Sequence, residues 1–328
     1  MSLVTVVIPT WNGRRLLDPC LAGLGAQTWR DITIVIVDNG STDGTASWVQ
    51  ERYPDVQVIA NDRNLGFAAA VNQGIRVSDS RYVVTLNNDT EPEPGWLAAL
   101  VATAERDPTV GMCASKMLFA DRPGVINSTG IYLDRTGIAW DRRGGEPDDE
   151  RGTEPVEVFG PCGGAALYRR TMLDEVGLFE EDFFAYLEDV DLAWRARLAG
   201  WRCLYVPAAR VLHHHSATSV EGSSFKRYLL GRNKVWLIAK NYPFAPLWPY
   251  VPLLFLYDLA AVLYALAARH DTYALRGRLA GLASVGRMWR KRRRPNPALR
   301  SDLGYLNPLE PPWRVRRRYT HLTPVDRQ

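Results

Sequence analysis

The chain has 328 residues, enough for one large domain with an appendage or for two small ones. It is 46% hydrophobic and 23% charged, an ordinary folded composition. Its four cysteines (Cys20, Cys113, Cys162, Cys203) form neither a C-x-x-C pair nor a ladder of short spacings, which argues against a disulfide scaffold and for buried reduced thiols.

The net charge of +4 hides a division. Residues 217–328 carry 20 Lys and Arg against 6 Asp and Glu, whereas residues 1–216 carry 20 against 30, so an acidic body is joined to a basic tail. The chain enters an apolar strand pattern at once, with no basic n-region or cleavage site, so no signal peptide is expected. Val4 to Ile8 reads as a strand ended by Pro9 and followed by Asn12-Gly13, and a helix is expected near Leu16 to Gln27. A second continuous apolar strand, Ile32 to Val37, stops at Asp38-Asn39-Gly40, and Ser41 or Thr42 can cap a helix reaching about Tyr53. Val56 to Ala60 and Tyr82 to Leu86 add two strands with a helix near Ala68 to Val77 between them. Continuous apolar strands separated by helices indicate a mostly parallel α/β sheet with helices on both faces. Ligands in such sheets bind beyond the carboxyl ends of the strands.

From Phe119 to Val158 the pattern weakens into Gly, Pro, Asp and Arg, which predicts an exposed and mobile loop region. A Gly-rich turn at Gly160 to Ala165 follows, then helices near Thr171 to Val176 and Glu188 to Leu198, and a last strand from Trp201 to Val206 before His213-His214-His215. Beyond Ser216 the chain becomes apolar, basic and helical. No internal repeat is present.

Three strand ends carry polar residues where a nucleotide would sit: Thr10-Trp11-Asn12, Asp38-Asn39-Gly40-Ser41 and Asn87-Asn88-Asp89. The Asp38 carboxylate can accept the imide N–H of a uracil or thymine, and Trp11 offers an aromatic face, although Asp-Asn-Gly-Ser also makes a good turn after any strand. Asp89 begins an acidic loop with Glu91 and Glu93, and a hard divalent cation takes such oxygens while keeping open positions for phosphates. The alternative for Asp89 is a cap before a helix at Pro94-Gly95-Trp96. Glu188, Asp189 and Asp191 open a helix, where the dipole favours carboxylates. Three within four residues exceed what a cap requires, and one aimed at the cleft can act as a general base. At least one of His213, His214 and His215 is expected to face inward as a ligand.

The motifs in order are Val6-Val7-Ile8-Pro9-Thr10-Trp11-Asn12, Val37-Asp38-Asn39-Gly40-Ser41-Thr42-Asp43-Gly44, Asn64-Leu65-Gly66-Phe67-Ala68 with Asn72, and Leu86-Asn87-Asn88-Asp89. After them come Gly163-Gly164-Ala165, Glu188-Asp189-Val190-Asp191-Leu192 with Arg195, and His213 with Ser216. Together, over about residues 3–219, they resemble the family 2 glycosyltransferases of GT-A fold, in particular the branch with bacterial rhamnosyltransferases of cell-wall and O-antigen synthesis. The resemblance implies a Rossmann-like GT-A catalytic domain over residues 1–219, with 220–328 as a helical appendage. It implies that Pro9, Thr10, Asn12 and Asp38 hold the donor nucleoside and that Asn64, Gly66 and Asn72 line the donor pocket. Asn87-Asn88-Asp89 stands where the family has its D-x-D motif, with Asp89 as ligand to Mg²⁺ or Mn²⁺ and Asn87 replacing the first Asp. Asp189 is implied as the catalytic base and His213 as a late metal ligand. Gly163, Gly164, Glu188, Asp191 and Arg195 fall on the acceptor side. The implied reaction is a single inverting displacement from a dTDP- or UDP-linked sugar, best matched by dTDP-rhamnose, onto a glycan or polyprenyl-diphosphate-linked hydroxyl.

A dinucleotide-dependent oxidoreductase is disfavoured because no G-x-G-x-x-G follows the first strand. A nucleotidyltransferase is disfavoured because no Gly-rich basic loop does. An inactive GT-A-like sugar-nucleotide-binding scaffold is the remaining alternative. The apolar run Leu253 to Ala268, about 24 Å as a helix, falls short of a roughly 30 Å hydrocarbon core, and Pro246, Pro249 and Pro252 interrupt the stretch before it. With the basic cluster Arg287, Arg290, Lys291, Arg292, Arg293 and Arg294 around Trp289, it predicts a peripheral contact with the anionic cytoplasmic face of the membrane, or a homodimer interface, and not a nucleic-acid site.

Overall fold

The computed structural model describes residues 2–148, 152–214, 223–293 and 304–309; His215, Ser216 and Arg294 lie outside the described residues. The first half alternates strand and helix as its apolar runs dictate: β1 (Val4–Thr10), α1 (Arg14–Gly25), β2 (Ile32–Asp38), α2 (Thr45–Arg52), β3 (Gln57–Ala60), α3 (Phe67–Arg76) and β4 (Tyr82–Leu86). Next come β5 (Thr90–Pro92), α4 (Trp96–Arg106), β6 (Val110–Phe119), β7 (Arg122–Ser128), β8 (Ile131–Leu133), β9 (Ala139–Asp141), β10 (Val156–Glu157) and β11 (Ala165–Arg169). The rest is α5 (Arg170–Val176), α6 (Glu188–Ala199), β12 (Arg202–His213), α7 (Ser224–Asn241), α8 (Phe244–Leu247), α9 (Val251–Arg269), α10 (Tyr273–Ala283) and α11 (Val285–Arg290).

Strands β3-β2-β1-β4 are parallel neighbours; β11 then pairs antiparallel with β4 and β6, and β12 runs parallel to β6. The fold is α/β of GT-A type, with helices on the sheet and further helices at the C-terminal end. Every residue of β4 and β6 is buried, which is why these strands show no polar alternation. Two apolar clusters, one centred on Val7, Val83 and Trp194 and one on Ile8, Val84 and Trp96, cover the two faces.

Three expectations are corrected. Residues 119–148 are built as β7 and the β8–β9 hairpin rather than as an exposed loop, and Asn127, Ser128, Thr129, Leu133 and Thr136 are buried. Small and polar residues hid the strands because their hydrogen bonds, rather than apolar contacts, hold them. The last strand also runs on to His213, with a register shift between Val206 and Arg210 where Pro207 interrupts pairing with β6. At the C-terminal end Phe244–Arg269 makes 26 residues of helix, long and apolar enough to cross a membrane by length and composition. The short-helix argument therefore does not hold. Pro249 and Pro252 occupy first turns, where the missing N–H is no loss.

Candidate active site

Parallel strands present their carboxyl ends together, and here Thr10, Asp38 and Asn87 come to one edge. A cleft of about 680 Å³ opens there. Pro9, Thr10, Trp11, Asn39, Asn64, Gly66, Asn87 and Asn88 form one group of lining residues. Trp11 is 46% exposed, leaving its ring available for stacking. Asn88 Nδ2 donates to Thr10 Oγ1 at 2.9 Å, locking two strand ends together. Asp38 and Asn12 lie just behind this lining: the Ser41 hydroxyl donates to Asp38 Oδ1, and the Asn12 side chain accepts from the Thr42 amide at 2.8 Å.

A second group, Gly163, Gly164, Glu188 and Asp189, brings the β11 approach against the start of α6. Gly163 N donates to Asp189 Oδ2 at 3.0 Å, and Val190 N donates to Asp189 Oδ1 at 2.8 Å. A Cβ on Gly163 would stand 3.3 Å from that of Asp189, so glycine permits the approach. Burial pushes the Asp189 carboxyl up to about 6, partly offset by these amide donors, with the charge of Asp141 adding to the rise. Burial and the neighbouring Asp189 push Glu188 well above the usual carboxylate range, and its Oε2 has no hydrogen-bond partner. A carboxyl poised near neutrality in a cleft suits general-base work.

His213 supplies a third group. Its Nδ1 is 2.8 Å from Asn127 Oδ1; in the tautomer with the proton on Nδ1, the Nε2 lone pair points away from Asn127. Nε2 lies 3.3 Å from Asp89 Oδ1, a buried oxygen with no hydrogen-bond donor. Two acceptors facing each other in a buried corner fit a cation shared between them. Among the described residues no group of three His, Cys, Asp or Glu converges, so other oxygens must complete any coordination shell. His214 instead meets Glu91 at 2.6 Å, with both side chains partly exposed.

The remaining wall is Trp140 and Asp141 of β9, Phe184–Leu187, and Phe225, Lys226 and Leu230 of α7. The segment leading to Glu188 is unusual: Phe184, Tyr186 and Leu187 all have positive φ, at 66°, 69° and 67°. Phe184 is the centre of a tight γ-turn closed by Ala185 N to Phe183 O at 2.8 Å. Each such non-glycine residue costs about 1–2 kcal/mol, which surrounding contacts must offset.

Besides Asn12, Asp38 and Asp89, which stand behind the lining, three expected site residues are away from the cleft. Asn72 is buried behind α3, donating to Phe179 O and Glu181 Oε1 at 2.8 and 2.9 Å. Asp191, two residues past Asp189, points round the far side of α6, where Arg195, Lys240 and Asn241 surround it. Arg195 spends its other protons on the carbonyls of Val176, Gly177 and Leu178. These three stabilise the walls rather than face a ligand. Asn127, Trp140, Asp141, Tyr186 and Lys226 went unread in the sequence, because none falls at a strand end or in a motif that marks a site.

Residues 5–177 match the family model described as "Glycosyl transferase family 2". Over 240 residues the chain is 33% identical to "N-acetylglucosaminyl-diphospho-decaprenol L-rhamnosyltransferase" of Mycobacterium tuberculosis, covering 65% of this chain and 76% of that one. Two solved structures share its fold. One is GalNAc-T7 with UDP, GalNAc and Mn²⁺ (TM-score 0.59, 21% identity, 73% of this chain and 48% of that one). The other is the mannosyltransferase PcManGT from Pyrobaculum calidifontis with GDP-Man and Mn²⁺ (TM-score 0.53, 22% identity, 87% and 75%). This chain thus spans about half the length of the first structure and three quarters of the second. The matched family segment ends before α6 and β12, yet the cleft it begins is completed by Asp189 and His213 from those elements. With motif order, GT-A topology and relatives in agreement, the chain belongs to glycosyl transferase family 2 and is a glycosyltransferase.

Proposed function

We propose that this enzyme transfers L-rhamnose, with inversion, from dTDP-rhamnose to a hydroxyl of a glycan or polyprenyl-diphosphate-linked acceptor in cell-envelope polysaccharide synthesis. Residues 1–219 carry the GT-A sheet and its motifs, and α7 adds Phe225, Lys226 and Leu230 to the cleft wall. The observation that carries the reading is one cleft lined by Asp189, whose carboxyl is raised to about 6, and by His213, which faces the buried Asp89 behind the wall. The 33% identical relative, named for a GlcNAc-diphospho-lipid acceptor and a rhamnosyl group, supports this choice of donor and acceptor.

Pro9, Thr10, Asn12 and Asp38 hold the nucleoside, with Trp11 as a stacking face, while Asn64, Gly66, Asn87 and Asn88 receive the ribose, diphosphate and sugar. Asp89 and His213 would hold Mg²⁺ or Mn²⁺. When bound, that ion neutralises charge on the departing diphosphate. Asp189 accepts the proton of the acceptor hydroxyl as its oxygen attacks the anomeric carbon opposite the leaving group, which inverts that centre. The Gly163 amide keeps the receiving carboxylate aimed. Burial and the neighbouring Asp189 hold Glu188 well above the usual carboxylate range, which disfavours a second negative charge beside the base.

The C-terminal helices hold the enzyme peripherally on the cytoplasmic membrane face. Trp248, Phe255, Leu256, Leu259, Leu263, Leu279, Leu282 and Trp289 are all more than half exposed. Exposed Arg269, Arg276 and Arg290 rim them, a composition suited to an anionic interface. Asp258, in the middle of α9, is ion-paired to Lys234 of α7 and Arg278 of α10, which ties that helix to its neighbouring helices and favours lying on the bilayer over crossing it. Lys291, Arg292 and Arg293 bond to the body instead, so the basic cluster contributes less than its count suggests.

The test is a transfer assay with purified protein, Mn²⁺, a GlcNAc-diphospho-lipid acceptor and a panel of dTDP-, UDP- and GDP-sugars, read by mass spectrometry. A rhamnosylated product from dTDP-rhamnose is expected. Turnover with another donor alone would reassign the sugar, and nucleotide binding without any turnover would leave the inactive scaffold.

A further inference from the structure

The strained segment Phe184–Leu187 forms part of the cleft wall and delivers the chain into Glu188 and Asp189, so something must hold it. On one side it meets the donor motif. Ala68 N donates to Phe184 O at 3.2 Å, and a Cβ on Gly66 would come within 2.5 Å of the same oxygen. On the other side it meets α7, far along the chain, where one side chain gathers three of its carbonyls. Asn233 is fully buried, and its Nδ2 lies 3.0, 2.9 and 2.8 Å from the carbonyl oxygens of Phe183, Ala185 and Tyr186. Arg232 Nε donates to Asn233 Oδ1 at 2.9 Å, which fixes the amide with its nitrogen toward the loop. The Arg232 guanidinium adds donors to Asp182 O and Phe183 O at 3.1 and 2.9 Å.

We propose that Asn233 is a positioning residue for sugar transfer: its amide gathers three loop carbonyls and so sets where Glu188 and Asp189 stand relative to the donor motif. This rests on the glycosyltransferase reading above. The chemistry is demanding. Three carbonyls converging on one nitrogen need a donor there, because without one they would be buried and unsatisfied. With an acceptor in its place they would repel it. Phe184, Tyr186 and Leu187 hold positive φ, strain that relaxes once the carbonyls are released. The base would then move without any change to the nucleoside-binding strand ends of β1 and β2. The C-terminal helical region is by this account a working part of the catalytic centre as well as an appendage.

The test compares full-length Asn233→Asp, Asn233→Ser and Asn233→Ala with wild type. Asp keeps the shape and removes the donor; Ser keeps one donor in a smaller side chain; Ala keeps neither. If donor protons matter, kcat falls in the order Asn, Ser, then Ala and Asp, by about 100-fold at the low end, while calorimetric affinity for dTDP with Mn²⁺ stays near wild type. If only packing matters, Asp is the best tolerated, and that result overturns the proposal. Should the Asp variant fail to fold, the Ser and Ala pair carries the test, and equal kcat in those two overturns it. A second readout needs no turnover: hydrogen–deuterium exchange should accelerate over residues 183–191 in the Ala variant and stay unchanged in β4. Unchanged exchange over 183–191 overturns the clamp even if the wild type transfers no sugar, an outcome that would count against the proposed function alone.

Discussion

Lys240 Nζ stands 3.0 Å from Asp191 Oδ2 with both side chains withdrawn from solvent, so the helix that carries Asp189 is tied by charge to α7. Arg195 and Asn241 donate to the same carboxylate at 2.9 and 2.7 Å. Burial alone would raise this carboxyl; Arg195 and Lys240 outweigh it and hold it at about 2. Removing one charge from such a buried set leaves its partners uncompensated, so Asp191→Asn is expected to lose about 3–5 kcal/mol of stability. Because the folded pKa lies below the unfolded value, the stabilisation is present above about pH 4 and fades as pH falls toward 2. Urea denaturation at pH 7 and pH 3 checks both points. The wild type should lose more stability between those pH values than the variant does, and matching losses would remove Asp191 from the account.

The Asp189 carboxyl is raised to about 6, so its two jobs oppose each other. As a base it works when ionised, and kcat/KM should fall on the acid side of an apparent pKa near that value. As a buried charge it disfavours the folded state once pH rises above the unfolded pKa, a cost that persists at neutrality. Asp189→Asn should therefore melt higher than wild type at pH 7.5, bind dTDP normally, and transfer sugar about 10²–10⁴-fold more slowly. A variant with normal turnover would disqualify Asp189 as the base.

Asp89→Asn and His213→Gln each remove one of the facing acceptors. Calorimetric titration of dTDP into either variant should give the same affinity with Mn²⁺ as with EDTA, whereas the wild type should bind much more tightly with Mn²⁺. A Mn²⁺-enhanced affinity in both variants would place the ion elsewhere. His214→Gln, which removes only the partner of Glu91, serves as the comparison and should retain the enhancement.

Phe255, Leu256 and Leu259 lie on the exposed side of α9. Replacing all three with Glu in the full-length chain should release the protein from anionic vesicles in co-sedimentation, and leave turnover on a short water-soluble acceptor near wild type. Equal sedimentation of variant and wild type would move the apolar surface to a homodimer interface, which light scattering would then detect.

The nucleotide half of the fold was legible because β1, β2 and β4 are continuous apolar runs stopped by polar strand ends, a pattern with few alternative explanations. Asp189 and His213 were reachable only through motif resemblance, since a helix start rich in carboxylates or a histidine after a strand has cheap structural explanations. The β8–β9 hairpin was missed for a different reason. Its Trp140 and Asp141 sit in a polar stretch whose backbone is held by turns and by Asn307, which pairs with Leu133 from 174 residues away. Asn72, Asp191 and Arg195 were misplaced because a motif specifies which residues recur and is silent about which side of a helix each one faces. Asn233 carried no local signal at all, since the carbonyls it gathers come from a loop some fifty residues earlier.

The register shift in β12 makes the sheet a counting device. Val206 pairs with Ser115 and Arg210 with Lys116, so residues 207–209 are looped out before pairing resumes toward His213. Side chains alternate faces along a strand, and the number of looped-out residues therefore decides the parity of everything after it. Losing one residue there would turn His213 outward and bring His214 to face Asp89, unless the whole strand slid by one position against β5 and β6. His214 beside His213 thus gives the protein tolerance to the loss of one residue in the bulge: that slip still leaves an imidazole pointing into the corner.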